Sequence, residues 1–483
     1  MANNTVVLLG LFIFTFALLQ IYRWVKGGIL NGSSTKKDDG ELYKLPPGST
    51  GWPLIGETIS WYQCMSNNLP QKFVEDRQSR YGDIFISHLF GKRVIVSVDP
   101  HFNKFVTQNE GRLFQARYPK SMADLFGKYG LFSVHGDLHR KLHGIAVNLL
   151  SSDKLRVDFM ADIQTLVHNT LTTWQAKDHI FLETECHEMI SNLMAKQLLD
   201  LPPSKETDEF ALFFSNFAAA FLSVPIKIPG STYSRGLKAR NLLVSKICKT
   251  LEKRRRQRQG DEVVHNDLLT KLMAEESLSD EIIADFLVFV LFAGHDASSR
   301  SMALAIKFLT DCPTALQQLR EEHEGIQTRK GNENLTWDDY KSMKFTQCVI
   351  NETLRLSNIA PGLYRETMED IKMKGFHIPK GWLVFCLLTG VHLDEKNYPA
   401  ARTFHPWRWQ TNDQVPSDTT LLVPFGGGPR LCPGSQLARL ELALFLGHFV
   451  TRFRWEVLKA DHISHFPFAH LVGGFPIRLY KRE

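Results

Sequence analysis

The chain has 483 residues, 43% hydrophobic and 22% charged, enough to fold around a sizeable core as one large domain or two to three ordinary ones. Its net charge of +6 is a mild basic bias, dispersed and without a zinc-finger or helix-turn-helix signature; this argues against nucleic acid and for a membrane surface or an acidic protein partner. The seven cysteines, Cys64, Cys186, Cys248, Cys312, Cys348, Cys386 and Cys432, form no CxxC pair, which speaks against a structural zinc site or thioredoxin-like chemistry and suits a reducing compartment.

The first predicted element is TVVLLGLFIFTFALLQIY, Thr5 to Tyr22, with no ionisable side chain before its last residue. As a helix it would span about 27 Å, close to a bilayer's hydrocarbon thickness. Arg23, Lys26, Lys36 and Lys37 follow it, so the positive-inside rule leaves the rest of the chain in the cytoplasm. A cleaved signal peptide would want a basic start and a small-residue cleavage site, so residues 1–26 are read as an uncleaved membrane anchor. Residues 27–58 are read as a linker, rich in Gly, Ser, Lys and Asp to Lys44, then a proline-rich hinge, LPPGSTGWPLIGE.

Residues 59–483 are expected to form one predominantly helical domain. DIFISHLFGKRVIVSV, residues 83–98, holds two β-rich runs around Gly91-Lys92 and predicts a hairpin. From about 136 to 355 apolar residues recur at three- and four-residue spacing, predicting helices. Beyond Asp370 the runs KGFHIP and WLVFCLL break that pattern. The expected fold class is mainly α with small β-sheets, not a doubly wound parallel sheet. The charge run LEKRRRQRQGDE, residues 251–262, reads as a solvated helix face.

Four stretches carry chemistry. In INETLRL, Glu352 and Arg355 share a helix face and can pair. FHPWRW, Phe404 to Trp409, adds Arg408, which would complete a buried Glu–Arg–Arg network. IIADFLVFVLFAGHDASSR runs apolar until it meets Gly-His-Asp-Ala-Ser-Ser, either a helix emerging into solvent or one lining a site. FGGGPRLCPG, Phe425 to Gly434, sets Cys432 among glycines and prolines just before an apolar helix; a helix N-terminus favours a thiolate.

Together these motifs resemble the cytochrome P-450 family of haem-thiolate enzymes over nearly the whole chain. The family's cysteine loop is matched at Phe425, Gly428, Arg430, Cys432 and Gly434, its E-x-x-R pair at Glu352 and Arg355, and its F-x-P-x-R-W segment at Phe404, Pro406, Arg408 and Trp409. The resemblance implies a P-450 fold, a single large haem domain behind an N-terminal transmembrane helix. It implies haem b with Cys432 as axial ligand of the iron, whose thiolate donation favours O–O cleavage. Gly428 and Gly434 would let the loop pass beneath the porphyrin, and Glu352, Arg355 and Arg408 would stabilise the fold. Arg430 and Arg365 fall where the family pairs haem propionates. Its W-x-x-x-R pattern falls on His139 and His143, which replace both signature residues, with Arg140 beside them to share the role. The oxygen-binding pattern falls on Ala293, Gly294, His295, Asp296, Ala297 and Ser298, with Ala297 where a threonine is usual. That threonine's hydroxyl helps organise the water and protons that dioxygen reduction consumes; here Asp296 remains as the proton conduit and Ser298 lies about 100° further round the helix.

FTQCVINETLRL, FHIPKGW and FHPWRW are most similar to the plant branch that oxidises sterols and triterpenoids, nearest to steroid 22-hydroxylases of brassinosteroid biosynthesis. Phe213, Phe214, Phe217 and Phe221 would roof a lipophilic pocket or pack in the core, and 361–364 and 470–476 fall where the family lines its pocket. No flavin or nicotinamide fingerprint is present, so the resemblance implies electrons from a separate membrane-bound NADPH-cytochrome P-450 reductase, docked on basic residues such as Arg140 and Lys141. The implied setting is the endoplasmic reticulum membrane, with the catalytic domain facing the cytosol. Two alternatives stand beside a sterol monooxygenase: a haem-thiolate isomerase or dehydratase needing no reductase, and a non-catalytic haem-thiolate sensor or lipid-binding protein.

Overall fold

β1 (Ile84–Leu89) and β2 (Lys92–Ser97) pair antiparallel, with Ile84 opposite Ser97 and Leu89 opposite Lys92. Phe90 and Gly91 close the hairpin with φ of 53° and 76°, the positive values that a tight two-residue turn demands. These strands come from a computed structural model that describes residues 36–38, 41–52, 55–67, 69–150, 155, 159–258, 267–331, 333–410 and 420–482. The expected anchor, residues 1–26, lies outside the described residues. Within the expected linker, Lys36–Asp38 pairs antiparallel with Glu41–Tyr43, so this stretch holds a short ladder and is not uniformly a flexible connection.

The described chain groups into two compact units, a division falling inside the single domain expected over 59–483. One takes the residues up to Arg117 together with Gly362–Gly390. It contains a five-stranded sheet formed with β3 (Phe114–Ala116), β4 (Gly362–Thr367) and β5 (Leu383–Leu387), in the order β1-β2-β5-β4-β3. Only β2 and β5 run parallel. β5 is the apolar run WLVFCLL, and its Val384, Phe385, Cys386 and Leu387 are fully buried, as a central strand's residues should be. Arg365 on β4 is also buried, its Nε 2.6 Å from Glu110 Oε2.

The other unit, Tyr118–Pro361 and Val391–Glu483, is mainly helical. Its central helix, Asp280–Asp311, starts where Ser279 Oγ accepts from the Ile282 N–H, with Asp280 and Glu281 in the first turn, where the helix dipole favours acids. This helix is long and apolar enough to cross a membrane, yet it is mostly buried among Leu182–Leu199, Thr232–Arg258, Lys344–Ser357 and Ser435–Arg452. It is a core helix. Gly294 permits the close approach of Leu182–Leu199, since a Cβ there would lie 2.5 Å from Met194 Sδ.

Glu352 is wholly buried and accepts from Arg355 Nε at 2.9 Å and Nη2 at 2.8 Å, Arg408 Nε at 3.0 Å, Trp409 Nε1 at 3.0 Å and the His405 N–H at 3.0 Å. Burial alone would raise its carboxyl, but Arg355 and then Arg408 outweigh that and hold it below the usual glutamate range. The charge run at 251–262 is a solvated face only in part. Arg254 turns inward to Asp267 Oδ2 at 2.8 Å and the Leu199 carbonyl at 2.7 Å, because a buried guanidinium finds its partners in two neighbouring segments.

Candidate active site

The cysteine loop is wound by two left-handed glycines, Gly426 at φ 73° and Gly428 at φ 65°. The Cys432 N–H donates to the Phe425 carbonyl at 3.0 Å, and Ala438 N to the Gly434 carbonyl at 2.9 Å as Ser435–Arg452 begins. Phe425 is held under the Arg439 guanidinium, 5.5 Å from its ring centre. Burial pushes the Cys432 thiol up, with the Gly434 N–H opposing. A cation bound at the sulfur would favour its ionised form.

The loop's geometry fits a flat metal-bearing group. Gly434 has an ordinary φ of −86°, and a Cβ there would meet only Cys432 Sγ at 3.9 Å. Among the described residues beyond its chain neighbours, no other atom lies within 4 Å of that position, so the missing side chain leaves room beside the sulfur. On the central helix, Val290, Ala293, Gly294 and Ala297 form an accessible stripe on an otherwise buried stretch, at three- and four-residue spacing.

Two segments clasp the loop. Arg430 donates to the Leu131 and Val134 carbonyls, each at 2.7 Å, with His135 Nδ1 at 3.1 Å. His143, on Gly136–Leu149, donates from Nε2 to the Leu431 carbonyl at 2.8 Å. His139, one turn earlier and buried, has its ring 5.4 Å from that of His143. Arg140 on the same helix is exposed and pairs with Asp137. Arg365 belongs to the other unit, in its ion pair with Glu110.

On the central helix each expected side chain has a definite partner. Ser298 donates to Glu441 Oε2 at 2.6 Å, and burial pushes the Glu441 carboxyl up to about 8, with Ser298 acting the other way. Asp296 is buried and accepts from Arg300 Nε at 2.9 Å, while Arg300 Nη1 reaches Glu183 Oε1 at 2.9 Å. His295 packs on His187, Nε2 to Nδ1 at 3.3 Å, and burial holds its imidazole well below the usual histidine range. His187, His295 and Asp296 bring three ligand atoms within 4.8 Å of one another, but the Arg300 cation already occupies the carboxylate a metal would need. Ala297 contributes no side-chain polar atom, and its carbonyl accepts from Ser301 Oγ at 2.7 Å.

Next to this stretch is an aromatic cluster. Phe126 lies 5.2 Å from Phe132 and from Phe217 and 4.9 Å from Phe289, centre to centre. Phe292 lies 4.7 Å from Phe217, and Phe468 lies 4.5 Å from Phe221. Phe214, Phe217 and Phe221 are thus buried members, while Phe213 is half-buried near Lys246. Phe132 and Phe468 keep part of their surface accessible. Each ring pair adds about 0.5–1.5 kcal/mol beyond area burial, so the cluster is a firm apolar wall. Sequence reasoning missed Glu183, Glu441, Phe126, Phe132 and Phe468, none of which carries a local signal. Arg300, four residues after Asp296, was readable as a helical ion pair.

The cytochrome P450 family model matches residues 46–474. This chain belongs to the cytochrome P450 family. It is 58% identical over 486 residues to the abietadienol/abietadienal oxidase of Pinus taeda, covering 100% of both chains. It is 41% identical over 457 residues to a cholesterol 22-hydroxylase of Paris polyphylla, covering 93% of this chain and 94% of that one. Among solved structures, retinoic acid-bound cyanobacterial CYP120A1 matches with a TM-score of 0.81 at 26% identity, covering 91% of this chain and 99% of its own. The mainly helical fold with small sheets is thus the P450 fold. This cytochrome P450 is a monooxygenase, and its cofactor is haem b on a cysteine thiolate.

Proposed function

We propose that this cytochrome P450 oxidises a polycyclic diterpenoid at an alcohol or aldehyde carbon, drawing electrons from an NADPH-dependent reductase at the endoplasmic reticulum membrane. The observation that carries the reading is the end-to-end 58% identity to an abietadienol/abietadienal oxidase, against 41% to a cholesterol 22-hydroxylase. The cluster of Phe126, Phe132, Phe217, Phe221, Phe289, Phe292 and Phe468 supports it, being apolar and suited to a fused-ring hydrocarbon. Sterols share that chemistry, so cholesterol is the control substrate.

Cys432 would hold the haem iron, and Arg430 and His143 would keep its loop in place, each tied to one side of it. Arg365 and His139 are assigned to the propionate side on the family pattern. The bound haem supplies dioxygen reduction and insertion of one oxygen atom into substrate. Phe425 lies below Arg439 and shapes the loop. Asp296 holds or passes protons at its carboxylate, Ala297 leaves space for water or a substrate hydroxyl, and Ser298 anchors the helix through Glu441. Hydroxylation of a carbinol carbon gives a geminal diol, which loses water to the aldehyde; a second oxidation gives the acid. Arg140, exposed, serves the acidic reductase face, and residues 1–26 anchor the chain.

The test expresses the full chain in microsomes with a plant NADPH-cytochrome P450 reductase and offers abietadienol, abietadienal and cholesterol separately. Mass spectrometry should find the diterpene acid from both terpenoids, dependent on NADPH. A 22-hydroxylated sterol with the terpenoids untouched would overturn the substrate, and turnover without NADPH would transfer the protein to the rearrangement enzymes.

A further inference from the structure

Asp296 is joined to a distant hairpin by an unbroken polar chain. Its Oδ1 accepts from Arg300 Nε at 2.9 Å; Arg300 Nη1 donates to Glu183 Oε1 at 2.9 Å; Glu183 Oε2 accepts the Leu471 N–H at 2.6 Å. The side chains of Asp296, Arg300 and Glu183 keep only 6%, 11% and 9% of their surface, so each bond acts at low dielectric, where a lost partner is costly. Leu471 belongs to the hairpin that pairs Ile463 with Leu471 and Ser464 with His470. The same hairpin carries Phe468, which packs 4.5 Å from Phe221 and 6.2 Å from Phe292. One end of the chain is the site acid, and the other is part of the apolar wall.

We propose that Glu183 and Arg300 are positioning residues that transmit the placement of the Phe468 hairpin to the carboxylate of Asp296. The coupling is electrostatic. One guanidinium is shared by two buried carboxylates, and Glu183 claims less of it while the Leu471 N–H satisfies its other oxygen. A substrate that displaces Phe468 loosens Leu471, and Glu183 then draws Arg300 away from Asp296. The acid is then left with less of the Arg300 cation beside it. His187 surrounds the same junction, with Nε2 3.7 Å from Glu183 Oε1 and Nδ1 2.8 Å from Ser299 Oγ and 3.3 Å from His295 Nε2, so it stabilises the Glu183 end without bridging to Asp296 by a hydrogen bond of its own.

This coupling rests on Asp296 as the site acid and not on the identity of the substrate, so it is measured on substrate-free holoenzyme. Hydrogen–deuterium exchange is followed in wild type, Phe468→Leu, Glu183→Gln and the double variant. Phe468→Leu should speed exchange about tenfold, the equivalent of one charged hydrogen bond, both in the hairpin and in residues 292–300. In the Glu183→Gln background, whose amide still accepts from Leu471 but carries no charge, Phe468→Leu should change the hairpin alone. Transmission through the Phe468–Phe292 ring contact instead predicts the same central-helix response in both backgrounds, and that result overturns the proposal. So does a Phe468→Leu effect confined to the hairpin in wild type. With abietadienol present, Phe468→Leu should lower product formed per NADPH in wild type and not further in Glu183→Gln; additive losses count against the chain. If Glu183→Gln fails to fold, Arg300→Lys, which keeps the charge without the two-pronged geometry, should uncouple the two segments in the same way.

Discussion

His143 reaches across from its helix to donate to the carbonyl of Leu431, the residue directly before Cys432. An imidazole thus does, from the side, what Arg430 does through the Leu131 and Val134 carbonyls. Removing it frees the loop one residue before the sulfur. His143→Ala should lower the melting temperature by the equivalent of about 0.5–1.5 kcal/mol, a net hydrogen bond's worth, and should speed haem loss to apomyoglobin. Haem transfer at the wild-type rate would mean that the bond does not steady the loop.

Ala297 lies on the accessible stripe, whereas the neighbouring Ser298 hydroxyl is committed to Glu441. Ala297→Thr should therefore raise product formed per NADPH consumed, most visibly for substrates lacking a nearby hydroxyl. Ser298→Ala should leave that ratio unchanged. NADPH, peroxide and oxidised product are counted in one reaction; equal or poorer coupling in Ala297→Thr defeats the expectation.

Burial raises the Glu441 carboxyl from the ordinary 4.5 to about 8 in the folded protein, against the opposing hydrogen bond from Ser298. Unfolding lets it ionise at lower pH, so the unfolded chain binds fewer protons between those limits. Its contribution to stability is full below about pH 4.5 and declines towards pH 8, by at most about 1.4 kcal/mol per pH unit. Glu441→Gln keeps a partner for Ser298 and cannot ionise, so its melting temperature should gain on wild type between pH 5 and 8. Parallel pH profiles for the two proteins would show that Glu441 does not titrate there.

Arg408→Ala strips one cation from Glu352 and leaves the Pro399 carbonyl without its 3.1 Å donor. Breaking a buried pair costs about 3–5 kcal/mol, a large share of a typical domain's stability. The variant should accumulate little folded protein, read as the yield of the reduced carbon monoxide spectrum. Normal yields with normal melting would show that Arg355 alone suffices.

Legibility in the sequence followed distance along the chain. Glu352 and Arg355 are three apart on one helix, and Arg408 lies in an aromatic segment of fixed spacing, so their pairing could be foreseen. The β1–β2 hairpin was equally local. Ser298 and Glu441 are 143 residues apart, and Arg300 and Glu183 are 117 apart, and no periodicity connects them. The Cys432 loop was recognisable, but its electrostatics were not: a helix start favours a thiolate, and burial acts the other way. For the phenylalanines, spacing told of an apolar face without saying that Phe126 and Phe468 would join it from elsewhere.

The Ser298–Glu441 bridge joins the helix carrying Ala297 to the helix that begins just after Cys432. It acts as a caliper, fixing the gauge between two walls by a contact buried behind both. No ring of the aromatic cluster takes part in it. Substitutions at Phe132 can then remodel what the enzyme accepts while the gauge stays constant, so substrate preference and cofactor seating are free to diverge at different rates.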